Sequence, residues 1–290
     1  MLVRDRKKSY SKIRVINSIR SYRPIDKINK GTFGEVSMYS RDGQEYAVKR
    51  FTNKKQGAVH LTTVRELKAL ILLDGIKHIS RIEEIVIEDT ELYVVFPLYK
   101  ETLMGKRYEY LREASEHFRQ IVVGIQSIHQ HKLIHRDLKS SNIMLDSNNV
   151  IKIIDFGMSR KIQPMMSSIV TTLWYRAPEL LEFGTKNVYT EYKYAIDTWS
   201  IGIVLLEMLL GHAPCKSNCE VEQLALYKKN LSNIKDEYYW LPDSAVDLLT
   251  EMLKFDPKER IGLDRILKHP FITECDQSAK MFYLSEKKCD

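Results

Sequence analysis

The stretch "LIHRDLKSSNIML", Leu133–Leu145, followed closely by "IKIIDFG", Ile151–Gly157, decides how this chain folds. Each is a short polar motif held between apolar runs. Alone, each is weak, since "DFG" is only a tripeptide. Weight comes from what surrounds the pair. Toward the N-terminus, "DKINKGTFGEV" (Asp26–Val36) is a glycine-containing loop, and "EYAVKRF" puts Lys49 on a strand fifteen residues after Gly34. Seventeen residues further on, Glu66 lies within the helical pattern "LTTVRELKAL". Toward the C-terminus come "WYRAPELL" (Trp174–Leu181), "IDTWSIG" (Ile196–Gly202) and Arg260 in "FDPKERI".

The 290 residues leave ample material for a buried core, and 44% hydrophobic with 29% charged residues is a globular composition. The net charge of +7 is unevenly spread. Residues 1–30 carry ten Lys/Arg against Asp5 and Asp26, hence +8, and the remaining residues sum to −1. The basicity is therefore an N-terminal arm on a near-neutral body. Such an arm suits nucleic acid, an acidic partner or a nuclear import receptor, and equally a merely solvated tail. Cys215 and Cys219 lack a second cysteine pair or nearby histidines, which argues against zinc. The basic N-terminus has no apolar signal region. "IGIVLLEMLLG", Ile201–Gly211, is short and carries Glu207, so it reads as a buried helix rather than a membrane span. An intracellular protein with reduced thiols is expected.

Up to about residue 98 the pattern favours strands. "GEVSMYS" and "QEYAVKRF" flank the turn "RDGQ" as a hairpin, and "ISRIEEIVI" and "ELYVVFPL" read as further strands. From about Glu109 the chain turns helical, beginning with "EYLREASEHFRQIVVGIQSIHQH". No internal repeat or low-complexity segment is evident.

All these motifs, in this order and on these element types, make the chain resemble a eukaryotic protein kinase from about residue 22 to 272. The resemblance implies an α+β, bilobal fold: a basic arm at 1–20, a β-rich N-lobe at 21–98, an α-rich C-lobe at 99–273 and a tail at 274–290. It also implies ATP and Mg²⁺ as cofactors and a serine/threonine protein substrate. Lys49 would hold the α/β-phosphates, with Glu66 holding Lys49. Asp155 and Asn142 would hold the metal, Asp137 would accept the substrate hydroxyl's proton, and Lys139 would neutralise the transferring phosphoryl group. ATP would further contact Ile28, Asn29, Gly31, Gly34, Val36, Ala47, Phe96, Pro97 and Tyr99. In isolation, "NKGTFG" is a plain hairpin turn. In this context it is a phosphate cover, with Gly31 and Gly34 giving close backbone approach and Asn29 tolerating an unusual φ in place of the first glycine.

Within the kinases, Arg176 in "TTLWYRAPE" resembles the CMGC group, which contains cyclin-dependent and MAP kinases. "GAVHLTTVREL", Gly57–Leu67, is similar to the cyclin-binding helix, and no Thr-x-Tyr pair lies between Asp155 and Glu179. A cyclin-like subunit is thus implied, as is an activating kinase for Ser167, whose phosphate Arg65, Arg136 and Arg160 would receive. Arg176 and Thr172 would position substrate, favouring proline after the target residue. Thr32 remains as an inhibitory site, whereas its neighbour is Phe33 rather than tyrosine. The chain passes quickly from "EVEQLALYKKNL" to "AVDLLTEML", so the insert that docks small accessory subunits is expected to be missing. Asp197, Trp199, and the pair Glu179–Arg260 read as architectural, as do His129, His131 and His269. "EYYW", Glu237–Trp240, reads as a core plug, with docking as the alternative. A cyclin-independent CMGC kinase, a pseudokinase scaffold and nucleic-acid binding through the arm are the rival readings. Nuclear location is an expectation from the arm and the family; no membrane association is expected.

Overall fold

The computed structural model describes residues 13–31, 34–51, 60–164, 166–167, 172–184, 189–190, 192–274 and 280–281. Thr32, Val170 and the first residues of "GAVHLTTVREL" lie outside the described residues. The chain divides into two compact units, one of Met1–Gly75 with Ser80–Leu98, the other of Ile76–Ile79 with Tyr99–Asp290.

Among the described residues, the first unit is a six-stranded sheet with one helix. Its elements are β1 (Arg14–Ile16), β2 (Arg23–Gly31), β3 (Gly34–Arg41), β4 (Gln44–Phe51), α1 (Leu61–Leu72), β5 (Glu84–Glu88) and β6 (Glu91–Pro97), in sheet order β1-β5-β6-β4-β3-β2. The expected hairpin is present: Asp42 and Gly43 turn at φ 54° and 78°, a two-residue loop whose twist suits antiparallel strands. The register sorts side chains by face, because directly paired residues share one. Asn29–Val36, Val36–Lys49, Met38–Ala47 and Ala47–Phe96 are paired, so Val36, Ala47, Lys49 and Phe96 look out from one face. Tyr46, Val48, Val86 and Val95 form a core on the other, capped by Tyr22 with Ile16 and Ile19.

Two local expectations are corrected. Residues 14–16, expected within the basic arm, instead form β1, pairing parallel with β5. The reason is visible in the side chains: Ile16 joins the core, and Arg14 lies 3.1 Å from the buried carboxylate of Glu84. That carboxylate also accepts hydrogen bonds from Tyr22 (2.7 Å) and Arg41 (2.6 Å). Asn29 adopts no positive φ; the strand irregularity is taken up by a register shift between Lys27 and Asn29. At Gly34, a Cβ would stand 2.4 Å from the backbone oxygen of Arg50, so the sheet itself demands glycine there.

The second unit is mainly helical. In order it holds β7 (Glu101–Thr102), α2 (Leu111–Gln130), β8 (Leu133–Ile134), β9 (Ile143–Leu145), β10 (Ile151–Ile153), β11 (Arg160–Lys161), β12 (Met166–Ser167), α3 (Pro178–Gly184), β13 (Tyr189–Thr190), α4 (Ala195–Leu210), α5 (Glu220–Asn230), α6 (Ile234–Glu237), α7 (Asp243–Met252), α8 (Leu263–Ile266) and α9 (Pro270–Thr273). Single 3₁₀ turns occur at Ser140–Asn142 and Leu173–Tyr175. Helix α4 is buried without interruption from Ile196 to Leu209, as its apolar run requires, and stops at Gly211 in the left-handed region. Only α6 lies between α5 and α7. No described helix is long and apolar enough to cross a membrane.

Candidate active site

Each unit carries its own part of the expected machinery. In the first, β4 presents Lys49 and α1 presents Glu66, and the ammonium donates to both carboxylate oxygens at 2.7 Å. Glu66 is buried. Its position follows from the helix pattern, which turns Thr62, Thr63, Glu66, Ala69 and Leu70 inward. Leu61, Ile71 and Leu72 of the same helix stay exposed.

In the second unit, the β9–β10 hairpin sets the geometry. Asp146 accepts from the amides of Asn148 and Val150 and fixes the turn. The resulting register pairs Ile143 with Ile153 and lets the Ile154 amide donate to the Asn142 carbonyl at 3.0 Å. The two residues expected to hold metal, Asn142 and Asp155, are thereby tied through adjacent backbone. Asp155 itself sits at φ 60°, and its Oδ1 accepts from the Gly157 amide.

Asp137 lies at the centre of a converging network. Its Oδ2 is 3.1 Å from both Lys139 Nζ and Asn142 Nδ2, and its Oδ1 accepts from the Thr172 amide at 3.1 Å. Lys139 also donates to the Thr172 hydroxyl at 2.8 Å. A carboxylate, a cation, a carboxamide and a hydroxyl from two separate segments thus share one spot, where a partly exposed carboxylate can take a proton from an incoming hydroxyl.

What holds this loop is a second carboxylate. Asp197, in the first turn of α4, accepts from the amides of His135 (2.9 Å) and Arg136 (3.0 Å) and from His129 Nε2 (2.8 Å). Burial pushes the Asp197 carboxyl up, yet the bond from His129 and the nearby imidazoles and amides hold it below the ordinary range. Arg136 needs that support, since it stands at φ 69°. His135 is fully buried against Phe156, and burial pushes it below the usual imidazole value. Its Nδ1 accepts from the Asp137 amide, so Nε2 is the protonated nitrogen, donating to Ile154 O.

Several sequence expectations take on a particular form here. Arg176 is buried and paired with Glu220, which anchors the segment to α5. Ser167 pairs with Tyr189 across β12 and β13. Arg136 and Arg160 belong to the same unit as Ser167, and Arg65 to the other. Sequence reasoning missed a buried hub: Glu207 accepts from Ser140 (2.8 Å) and Tyr175 (2.7 Å), joining α4 to the loop between Lys139 and Asn142. A charge inside an apolar helix signalled that Glu207 had partners, but not which. Tyr192, buried beside Arg136, gave no signal at all.

Residues 22–272 match the protein kinase domain, most of the chain. The chain belongs to the protein kinase family. The kinase is 34% identical over 239 residues to "Probable cell division protein kinase ECU11_1290" of Encephalitozoon cuniculi (strain GB-M1), covering 80% of this chain and 75% of the relative. It is 34% identical over 279 residues to a "Probable CTD kinase subunit alpha homolog" of the same organism (85% and 82% covered). To "Probable cyclin-dependent kinase 10" of Dictyostelium discoideum it is 32% identical over 305 residues (89% and 81%). This is a serine/threonine protein kinase of the cyclin-dependent-kinase-like CMGC type, using ATP with a divalent metal and acting on protein substrates.

Proposed function

We propose that the kinase is activated by a cyclin-like subunit and by phosphorylation of Ser167, and transfers the γ-phosphate of Mg·ATP to Ser/Thr residues followed by proline. The observation that carries the chemistry is the convergence of Lys139, Asn142 and Thr172 on Asp137. Asp137 is the base for the substrate hydroxyl, and Lys139 balances charge on the transferring group. Asn142 and Asp155 supply the hard oxygen ligands that Mg²⁺ takes. The metal, when bound, neutralises phosphate charge. Lys49, steadied by Glu66, and the sheet face bearing Val36, Ala47 and Phe96 serve the nucleotide, together with Ile28, Asn29, Gly31, Gly34, Pro97 and Tyr99. The cyclin-like partner is supported by the exposed Leu61, Ile71 and Leu72 on α1. Thr172 positions substrate directly, and Arg176 acts through its anchorage to Glu220. Nuclear location belongs to the same reading and rests on the basic residues 1–30.

The second reading is a CMGC-group kinase that needs no cyclin, with which the formed Lys49–Glu66 pair is compatible. The test is phosphate transfer to a Ser-Pro-x-Lys peptide, with and without candidate cyclins, using Asp137→Asn as the blank. Transfer only with a cyclin supports the proposal. Equal transfer without one leaves the kinase and removes the cyclin.

A further inference from the structure

Tyr192 lies between the catalytic loop and the segment carrying Ser167. Its ring is buried, at 5% exposure. The hydroxyl accepts from Arg136 Nη1 at 2.8 Å and donates to the carbonyl oxygen of Ser167 at 2.7 Å. One oxygen thus serves as acceptor and donor at once, as a phenol can. Arg136 Nε meanwhile donates to Met158 O at 2.7 Å. Burial pushes the phenol above its usual value, with Arg136 and Arg160 pulling the other way, so it keeps its proton at neutral pH. Arg136 adjoins Asp137 and is fixed by Asp197 through its amide. The contacts therefore run from the Ser167 carbonyl through the Tyr192 hydroxyl to the Arg136 guanidinium, and the backbone amide of the same arginine is held by the Asp197 carboxylate.

We propose that Tyr192 is a positioning residue that latches the Ser167 segment to the catalytic loop before Ser167 is phosphorylated. This rests on the reading of Ser167 as the activating site. The phosphate, once added, brings its own acceptor oxygens to Arg136 and Arg160 and makes the latch redundant. The unphosphorylated kinase therefore keeps an ordered β12–β13 ladder and a basal rate, both depending on one hydroxyl. Removing that hydroxyl takes an acceptor from Arg136 Nη1 and a donor from the Ser167 carbonyl at once, so the loss falls on both ends of the bridge.

The test compares Tyr192→Phe with the parent, each with Ser167 unmodified or with phosphoserine installed at position 167. Amide exchange of the peptide containing Met166–Ser167 is read by mass spectrometry, together with kcat and the KM for ATP in the same assay used above. In the unmodified protein, Tyr192→Phe should speed exchange about tenfold and lower any basal kcat similarly, with KM for ATP unmoved. With phosphoserine present, the same change should be less than about threefold. An equal loss in both states would make Tyr192 a plain packing residue and overturn the proposal, as would no change in the unmodified protein. Exchange reports on the latch independently of turnover. If phosphoserine at 167 changes neither exchange nor kcat while Tyr192 is intact, the activating-site reading fails. The latch then stands or falls on the Tyr192→Phe comparison in the unmodified protein alone.

Discussion

Replacing Glu179 by Gln tests the architecture under the site most directly. Arg260 spends all five of its N–H donors: two on Glu179 (2.8 and 2.6 Å) and one each on Ala195 O, Lys254 O and Phe255 O. Its side chain is 1% exposed, and its guanidinium lies 5.1 Å from the Trp199 ring. Glu179→Gln keeps the shape but leaves that charge without a counter-ion, and turns one acceptor into a donor facing a donor. Breaking one side of a buried pair costs about 3–5 kcal/mol. Three carbonyls and the indole still face the cation, so the low end, about 3 kcal/mol, applies. An unfolding entropy of about 2.1 cal/mol/K per residue, over 290 residues, comes to about 0.6 kcal/mol/K. Tm should therefore fall by about 5 °C in a thermal melt followed by circular dichroism. Arg260→Met paired with Glu179→Leu should recover part of the loss, since both charges are then gone. A fall below about 1 °C for Glu179→Gln would refute the reasoning, as would a double variant worse than the two single losses combined.

Further tests follow from other contacts. Asp137→Asn should lower kcat by about 10²–10⁴-fold while leaving ATP-analogue binding near normal; a small loss in kcat would remove Asp137 as the base. Gly34→Ala should destabilise the protein by about 1–3 kcal/mol in urea, because its Cβ would meet the Arg50 carbonyl. An unchanged midpoint would return Gly34 to a purely phosphate-facing duty. Burial pushes His78, His117 and His135 below 6.5, so the unfolded chain binds protons below that value while the folded chain does not. Stability should be full above about pH 6.5 and decline as pH falls below it, and His117→Phe should flatten that slope. Equal urea midpoints at about pH 7.5 and about pH 5.5 would contradict this. Glu84→Ala should lower the unfolding free energy by about 2 kcal/mol in urea, since the Tyr22 hydroxyl and Arg41 lose a shared acceptor; an unaltered midpoint would show that cluster to be idle.

Much of this molecule is legible in its residues, for physical reasons. The turn residues Asp42 and Gly43 announce the hairpin, and the hairpin's register alone puts Val36, Ala47 and Lys49 on one face. The Asp197 clamp on the catalytic loop is likewise foreseeable, because a carboxylate opening a buried helix must find donors. Less legible is anything that depends on which of several buried groups meet. Glu207 announces its need for partners, but Ser140 and Tyr175 lie 67 and 32 residues away in sequence. The partner of Arg176, Glu220, lies 44 residues away and is equally hidden in the sequence. The basic character of residues 1–30 suggests a separate arm and hides Ile16, which packs against the core. Net charge averages over side chains, whereas strand pairing is decided by where each one points.

Strand β1 has a practical consequence for how this kinase is handled. The match to the protein kinase domain opens at residue 22, and a recombinant protein trimmed there would lack the strand that pairs with β5. The backbone amides and carbonyls along that side of β5 would then be bare, next to the outward-facing Ile87. An unprotected sheet margin of this kind invites a second molecule to add its own strand. Soluble aggregates of such a trimmed protein would reflect the missing first strand rather than any weakness of the catalytic domain, and restoring residues 13–21 should return it to a single species in size-exclusion chromatography.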